Sequence, residues 1–427
     1  MEKAIVFFGW SSRVFLSGGC LKSNGVILSD IVERLGTTNF VVGWAFSLQL
    51  GVSYLVGPLA SLLLRVFTRR QVAVFGGCLV ATSYIYCGLW LESVWQLFFA
   101  YTVAGIGLGF HMFAGYLNFC DHFHDNLGTA VSVASLCNFL GLATLPLFLQ
   151  YLKTYFGLDN GLVLFGVFLS NLVVSAFAVS KPVRNLKQIQ AVEAKQPDKE
   201  DTCPFSKAND VDKNEQVNEE KNNLQRYLQA WCAMFDHENL AVFMALEGLM
   251  LYIFVSWGLF LVSVGTSAGL DPDQAVLLSS AGGIGGLFGK LVAVELFRTE
   301  RMNAFTSTLL PLIVNAVCFT GCALVRSFYP IILFTFLCGT CIGVNNSGLF
   351  GLLPTMVCKS HFHQAFVTAS FIEGIAMQLA GFTSGLISDI TGSATNVFVF
   401  NALLSIAGLP LVLQWACRSC VYLNQFP

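Results

Sequence analysis

Of the 427 residues, 55% are hydrophobic and 11% charged, where a soluble chain would carry roughly a quarter charged residues. A balance this apolar excludes an ordinary water-soluble globule and suits a bilayer. The formal net charge of −2 removes the electrostatic case for a nucleic-acid partner.

In chain order, apolar runs long enough to cross a membrane fall at 4–29, 40–64, 71–90, 94–118, 128–150 and 160–180, then at 239–264, 274–296, 304–325, 329–353, 364–388 and 395–417. Period-two alternation is missing, so these are helices and not barrel strands. The run Ala4–Leu16 has the length of a signal sequence, but no small-x-small cleavage site stands out. It reads as part of the first spanning helix. Between the two sets lies 181–238, rich in Glu, Lys and Asn, with too little apolar surface to fold by itself. The expected architecture is therefore an all-α polytopic membrane protein. Twelve transmembrane helices form two six-helix halves, 1–180 and 239–427, joined by a flexible, water-exposed connector at 181–238.

Lys and Arg in short loops set the orientation. Arg65, Arg69 and Arg70 follow the second span, Lys181, Arg184 and Lys187 the sixth, Arg298 and Arg301 the eighth, Lys359 the tenth and Arg418 the twelfth. Both termini and the connector are expected in the cytoplasm. One cytoplasmic loop, Cys120–Asn126, runs against this trend with Asp121 and Asp125. The basic loop after the second span of each half is also a short internal echo, Leu64–Arg70 against Leu296–Arg301.

The 14 cysteines sit mostly inside apolar runs and read as small hydrophobes. Cys338/Cys341 and Cys417/Cys420 have metal-ligand spacing, but the sequence places no Cys/His partner pair beside either. Palmitoylation of Cys417 and Cys420 at a membrane edge is a weaker alternative. No nucleotide motif, covalent-catalysis constellation, metal or cofactor is indicated.

Several blocks, in order, carry a resemblance. They are Gly57-Pro-Leu-Ala-Ser61 with Arg70 and Gly76-Gly77; Phe123 with Ala130–Gly141; Gly269–Leu278; and Phe362–Asp389 with Glu373, Gly381 and Gly385. Together they resemble the monocarboxylate transporters of the major facilitator superfamily over nearly the whole chain. The resemblance implies alternating-access transport of a small carboxylate-bearing metabolite, with or without a proton, across the plasma membrane. It also allows a single-span chaperone as partner, which the family often uses. The chain departs from the family at its opening motif, which is degraded in Lys3–Trp10. In span eight, Gly286 stands at the family's aspartate and Lys290 at its arginine. In and before span five, Val131 stands at a polar position, and Asp125 and Asn126 at basic ones.

Ionisable side chains inside a bilayer are costly and each needs a reason. Lys22 would draw a carboxylate into the cavity, or snorkel to the headgroups; the resemblance favours the first. Lys290, in the glycine-rich run Gly282–Lys290, would keep the family's positive charge without its planar fork, with snorkelling again the alternative. Asn138, Asn345 and Asn346 are candidates for the cavity wall, or interhelical hydrogen-bonding groups. Glu247, Glu373 and His111 are candidate coupling groups. For Glu373 a structural ion pair or hydrogen bond is the favoured reading, and for His111 a packing hydrogen bond. Arg13 lies about half a turn around the helix from Lys22 and belongs to a different face. A transport-inactive sensor or scaffold derived from a carrier is the rival reading; the lost aspartate and opening motif support it.

Overall fold

A computed structural model describes residues 2–123, 127–179, 238–299, 301–356 and 362–423. Connector residues 181–237 and the ends of the chain lie outside the described residues. The elements are α1 (Glu2–Leu35), α2 (Asn39–Leu55), α3 (Gly57–Val66), α4 (Arg69–Trp90), α5 (Val94–Phe123), α6 (Leu127–Ala134), α7 (Leu136–Leu169) and α8 (Asn171–Ala176). After the connector come α9 (Glu238–Ser267), α10 (Pro272–Arg298), α11 (Ala304–Leu324), α12 (Phe328–Met356), α13 (Phe362–Thr391) and α14 (Thr395–Leu423).

Spans and helices correspond closely, with instructive differences. The expected second span is broken into α2 and α3, bent by 52°. Pro58 lies in the first turn of α3; its ring and missing N–H disrupt the preceding turn. The expected fifth and sixth spans merge into one helical run, Thr129–Ala176, but Gly157 inside it has φ 80° and ψ 168°. That backbone suits glycine alone, and it reverses the chain: Phe148 and Phe168 meet ring to ring at 4.9 Å. With the bent pair counted as one span there are 11 candidate crossings among the described residues. Dividing the run at Gly157 is consistent with the twelve expected.

Helix α1 continues to Leu35, beyond the apolar run that ends at 29. Its polar extension is held by ion pairs, Asp30 with Lys153 at 2.8 Å and Arg34 with Asp159. These pairs also neutralise Arg34 and Lys153 on that side of the molecule. At the opposite side Arg69 pairs with Asp121 at 2.5 Å, so the acid in the anomalous loop is matched by a base of the neighbouring one. Asp125, His124 and Asn126 lie outside the described residues.

Helices α1–α8 pack chiefly on one another, as do α9–α14; the two sets meet through α2 with α13, α7 with α10, and α1 with α9. The face holding the N-terminal end of α1 is called the terminal face below, and the opposite one the far face. The two sets are bonded to each other at the far face. Asp389 of α13 accepts hydrogen bonds from the backbone of Asn39 (3.0 Å) and Phe40 (2.7 Å) and from Asn39 Nδ2 (2.9 Å). Thr38, at the N-cap of α2, makes no side-chain cap of its own. The carboxylate from the other set therefore satisfies N–H groups that a helix start leaves open. Gln150 donates to Asp273 at 3.0 Å, and Val26, Val262, Ala275 and Val276 form an apolar cluster across the junction. The hydrogen bonds that tie Lys22 to Ser279, Asp389 to Asn39 and Phe40, Ser47 to Gln378, Gln150 to Asp273 and Ser280 to Ala143 all lie in the far half of the molecule.

Candidate functional site

The central junction is built by α1, α7, α9 and α10. Lys22 of α1 is fully buried (0% exposed). Its ammonium donates to the Ser279 carbonyl of α10 at 2.9 Å and lies 3.6 Å from the ring centre of Trp257 of α9. No carboxylate pairs with it among the described residues. This is not snorkelling geometry: the stem points into protein, between helices of both sets. Ser280 donates to the Ala143 carbonyl of α7 at 2.7 Å and holds α10 against α7 at the same level.

Lys290 is also buried, at 2% exposure, and donates to Asn346 of α12 at 2.8 Å. The amide that satisfies it is one residue beyond Asn345, whose own Oδ1 is buried without a partner among the described residues. The two lysines do not share one contact. Lys22 meets α10 at Gly282, and Lys290 lies eight residues further on, about 12 Å along the axis. Between them, at Gly286, the ring of Phe139 fills the space a side chain would take: a Cβ there would stand 2.1 Å from Phe139 Cδ1. The family's aspartate position is thus occupied by an aromatic ring from α7. Asn138 packs on α1, its Oδ1 1.9 Å from where a Cβ on Gly18 would be, one helical turn from Lys22.

Glu247 of α9 and Glu373 of α13 are half-buried and close enough for their charges to interact, with Tyr54 of α2 nearby. His111 stands apart. Its Nε2 donates to the Leu172 carbonyl at 2.9 Å and lies 3.1 Å from Ser175 Oγ, binding α5 to α8 within the first set. With Arg13 and Asn118 it lines a cavity of about 10 Å³, room for one water. Arg13 stacks on Trp10 at 5.1 Å, on a face away from Lys22 as its spacing requires.

The cysteines need a correction. Cys338 and Cys341 do have a partner pair: Cys318 of α11 is in thiol contact with Cys338, and Cys322 and Cys341 lie near it. Even so, no group of three or more His, Cys, Asp or Glu among the described residues could hold a metal.

Sequence reasoning missed Trp257, Ser279 and Phe139. Apolar and hydroxyl residues in a span look like packing groups, and their partners are far away in sequence. The signal available was the run Gly282–Lys290, which announced a close approach to α10 without naming what approaches.

The profile of the Major Facilitator Superfamily matches residues 13–371. The chain belongs to that superfamily. Within it, this member is similar to monocarboxylate transporter 2 of Meriones unguiculatus, 26% identical over 395 residues that cover 91% of this chain and 78% of the relative. The human monocarboxylate transporter 2 is 24% identical, covering 88% of this chain and 78% of its own length. Among solved structures, a POT family transporter in complex with 5-aminolevulinic acid superposes with a TM-score of 0.73 at 12% identity, covering 97% of this chain and 96% of that one. The superfamily member described here is thus a multi-pass secondary carrier for a small molecule, and not an enzyme.

Proposed function

We propose that the cargo is a small monocarboxylate, moved by alternating access between two six-helix halves, 1–180 and 239–427. The observation that carries this reading is Lys22, a cation buried where both helix sets meet, with no carboxylate partner among the described residues. A charge held this way in a low-dielectric interior is an attractor for an anion. Lys290 supplies a second cation toward the terminal face, and Asn138 and Asn345 border the path. Similarity to monocarboxylate transporters supports the same class of cargo.

With far-face contacts in place, the structure fits a state that opens toward the terminal face, which loop charge assigns to the cytoplasm. The membrane is the plasma membrane in this reading. Glu247 and Glu373 are the groups through which a proton accompanies the substrate, since a proton between two neighbouring carboxylates removes their repulsion. His111 has a packing role here, because its bonds lie inside one half. A single-span chaperone is compatible with the reading and is not required by it.

The test is uptake of radiolabelled acetate, lactate and pyruvate into proteoliposomes at two pH values. Uptake of at least one acid above protein-free vesicles is expected, and faster uptake on the acidic side if Glu247 and Glu373 couple a proton. A folded protein that carries none of them supports the sensor reading, which the ring of Phe139 at the lost aspartate position favours.

A further inference from the structure

We propose that Trp257 is a positioning residue for Lys22, holding its ammonium ready for a substrate carboxylate; this rests on the carrier reading above. A buried ammonium requires compensation. A carboxylate neighbour would supply it by neutralising the charge, and would then compete with the substrate. A ring face attracts the cation through its quadrupole and carries no net charge. The 3.6 Å separation between Lys22 Nζ and the Trp257 ring centre is well inside the range of that attraction. An ammonium has three N–H donors. The Ser279 carbonyl takes one at 2.9 Å, which leaves donors for an incoming anion.

Three further observations fit a site built to receive an acceptor. Trp257 is itself fixed, 1% exposed, with Phe254 at 6.5 Å. Trp257 Nε1 and Ser279 Oγ, both donors at this junction, are buried without a partner among the described residues; orphaned buried donors are costly and point to a missing acceptor. Gly282 makes the arrangement possible. A Cβ on it would lie 2.5 Å from Trp257 Cζ2 and 2.7 Å from Lys22 Nζ, so any side chain there would drive lysine and indole apart.

The experiment compares Trp257→Phe, Trp257→Leu and Gly282→Ala in the full chain, in proteoliposomes, with radiolabelled pyruvate as probe. Trp257→Leu is expected to raise KM about tenfold and to change the maximal rate less than about twofold, while Trp257→Phe, which keeps a ring face, stays within about threefold of wild type. Gly282→Ala should raise KM as Trp257→Leu does, and the double variant should add little, because both disturb one contact. A lower maximal rate with unchanged KM in both Trp257 variants would mean a packing role only and would overturn the proposal. Wild-type vesicles that take up no pyruvate would count against the carrier reading and not against Trp257. Reductive methylation of the detergent-purified chain, read by peptide mass spectrometry, then decides. Lys22 should be protected in wild type and several-fold more modified in Trp257→Leu; equal protection in both would overturn the proposal.

Discussion

At the scale of single residues, the useful lesson lies in how each buried cation is satisfied. Lys22 has a carbonyl and a ring, and Lys290 has an amide; neither has a carboxylate among the described residues. Lys22→Ala should therefore raise KM for a carried monocarboxylate about ten- to a hundredfold, the equivalent of about 1.5–3 kcal/mol for a charge-assisted contact, with surface expression retained. Lys290→Arg should be tolerated better than Lys290→Ala, since the positive charge stays. Initial-rate kinetics in vesicles check both. Lys22 and Lys290 were legible in the sequence because charge inside an apolar run demands a reason. Phe139 was not, because nothing in a span distinguishes a ring that fills a functional gap from one that faces lipid. Its position changes what restoring the family pattern requires. Gly286→Asp alone should lower the yield of folded protein, since the new Cβ would collide with the ring at 2.1 Å. Gly286→Asp with Phe139→Ala should recover a good part of it, a coupling measurable by thermal unfolding in detergent. Additive losses in the double variant would contradict this packing account.

At the scale of elements, apolar length located almost every helix. What composition left out was bending and pairing. Apolar length alone runs the second span unbroken through Pro58, and the angle of the bend there depends on what α3 packs against. Gly157 lies between the fifth and sixth expected spans, where a turn belongs, and its positive φ lets the turn be tight. The cap on α2 illustrates the limit of local reading. Thr38 is a good N-cap residue by type, yet the bonds at this helix start come from Asp389, some 350 positions away in sequence. A helix capped in this way is tied to the other set. Asp389→Ala should remove about 1 kcal/mol of this cap and shift the molecule toward a state open at the far face. In a background freed of reactive cysteines, Val26→Cys sits in the far-face apolar cluster. It should react several-fold faster with a membrane-impermeant maleimide applied from the far side when Asp389 is alanine. Equal rates would show that the bond does not hold the seal.

At the scale of the whole molecule, the bonds from Lys22, Asn39, Phe40, Ser47, Gln150 and Ser280 that join the two sets of helices gather toward one side of the junction. That asymmetry fits a carrier caught at one end of its cycle, in which a ligand shifts the balance of pre-existing states. Loop charge predicts that the open side is cytoplasmic. Epitope tags at either terminus should be reached by antibody only after the plasma membrane is permeabilised; labelling of intact cells would reverse the orientation. The composition of the connector is what suggests a division into two halves in the sequence. The direction of opening was not, since it depends on contacts between residues hundreds of positions apart. Both readings of function, carrier and sensor, share this architecture, and one measurement separates them most directly. Proteoliposomes preloaded with unlabelled pyruvate and diluted into trace labelled pyruvate should accumulate label transiently above equilibrium, because a site exposed alternately to the two sides exchanges cargo. The overshoot should vanish with Lys22→Ala. Wild-type vesicles with correctly folded protein and no overshoot for pyruvate, lactate or acetate would contradict the account.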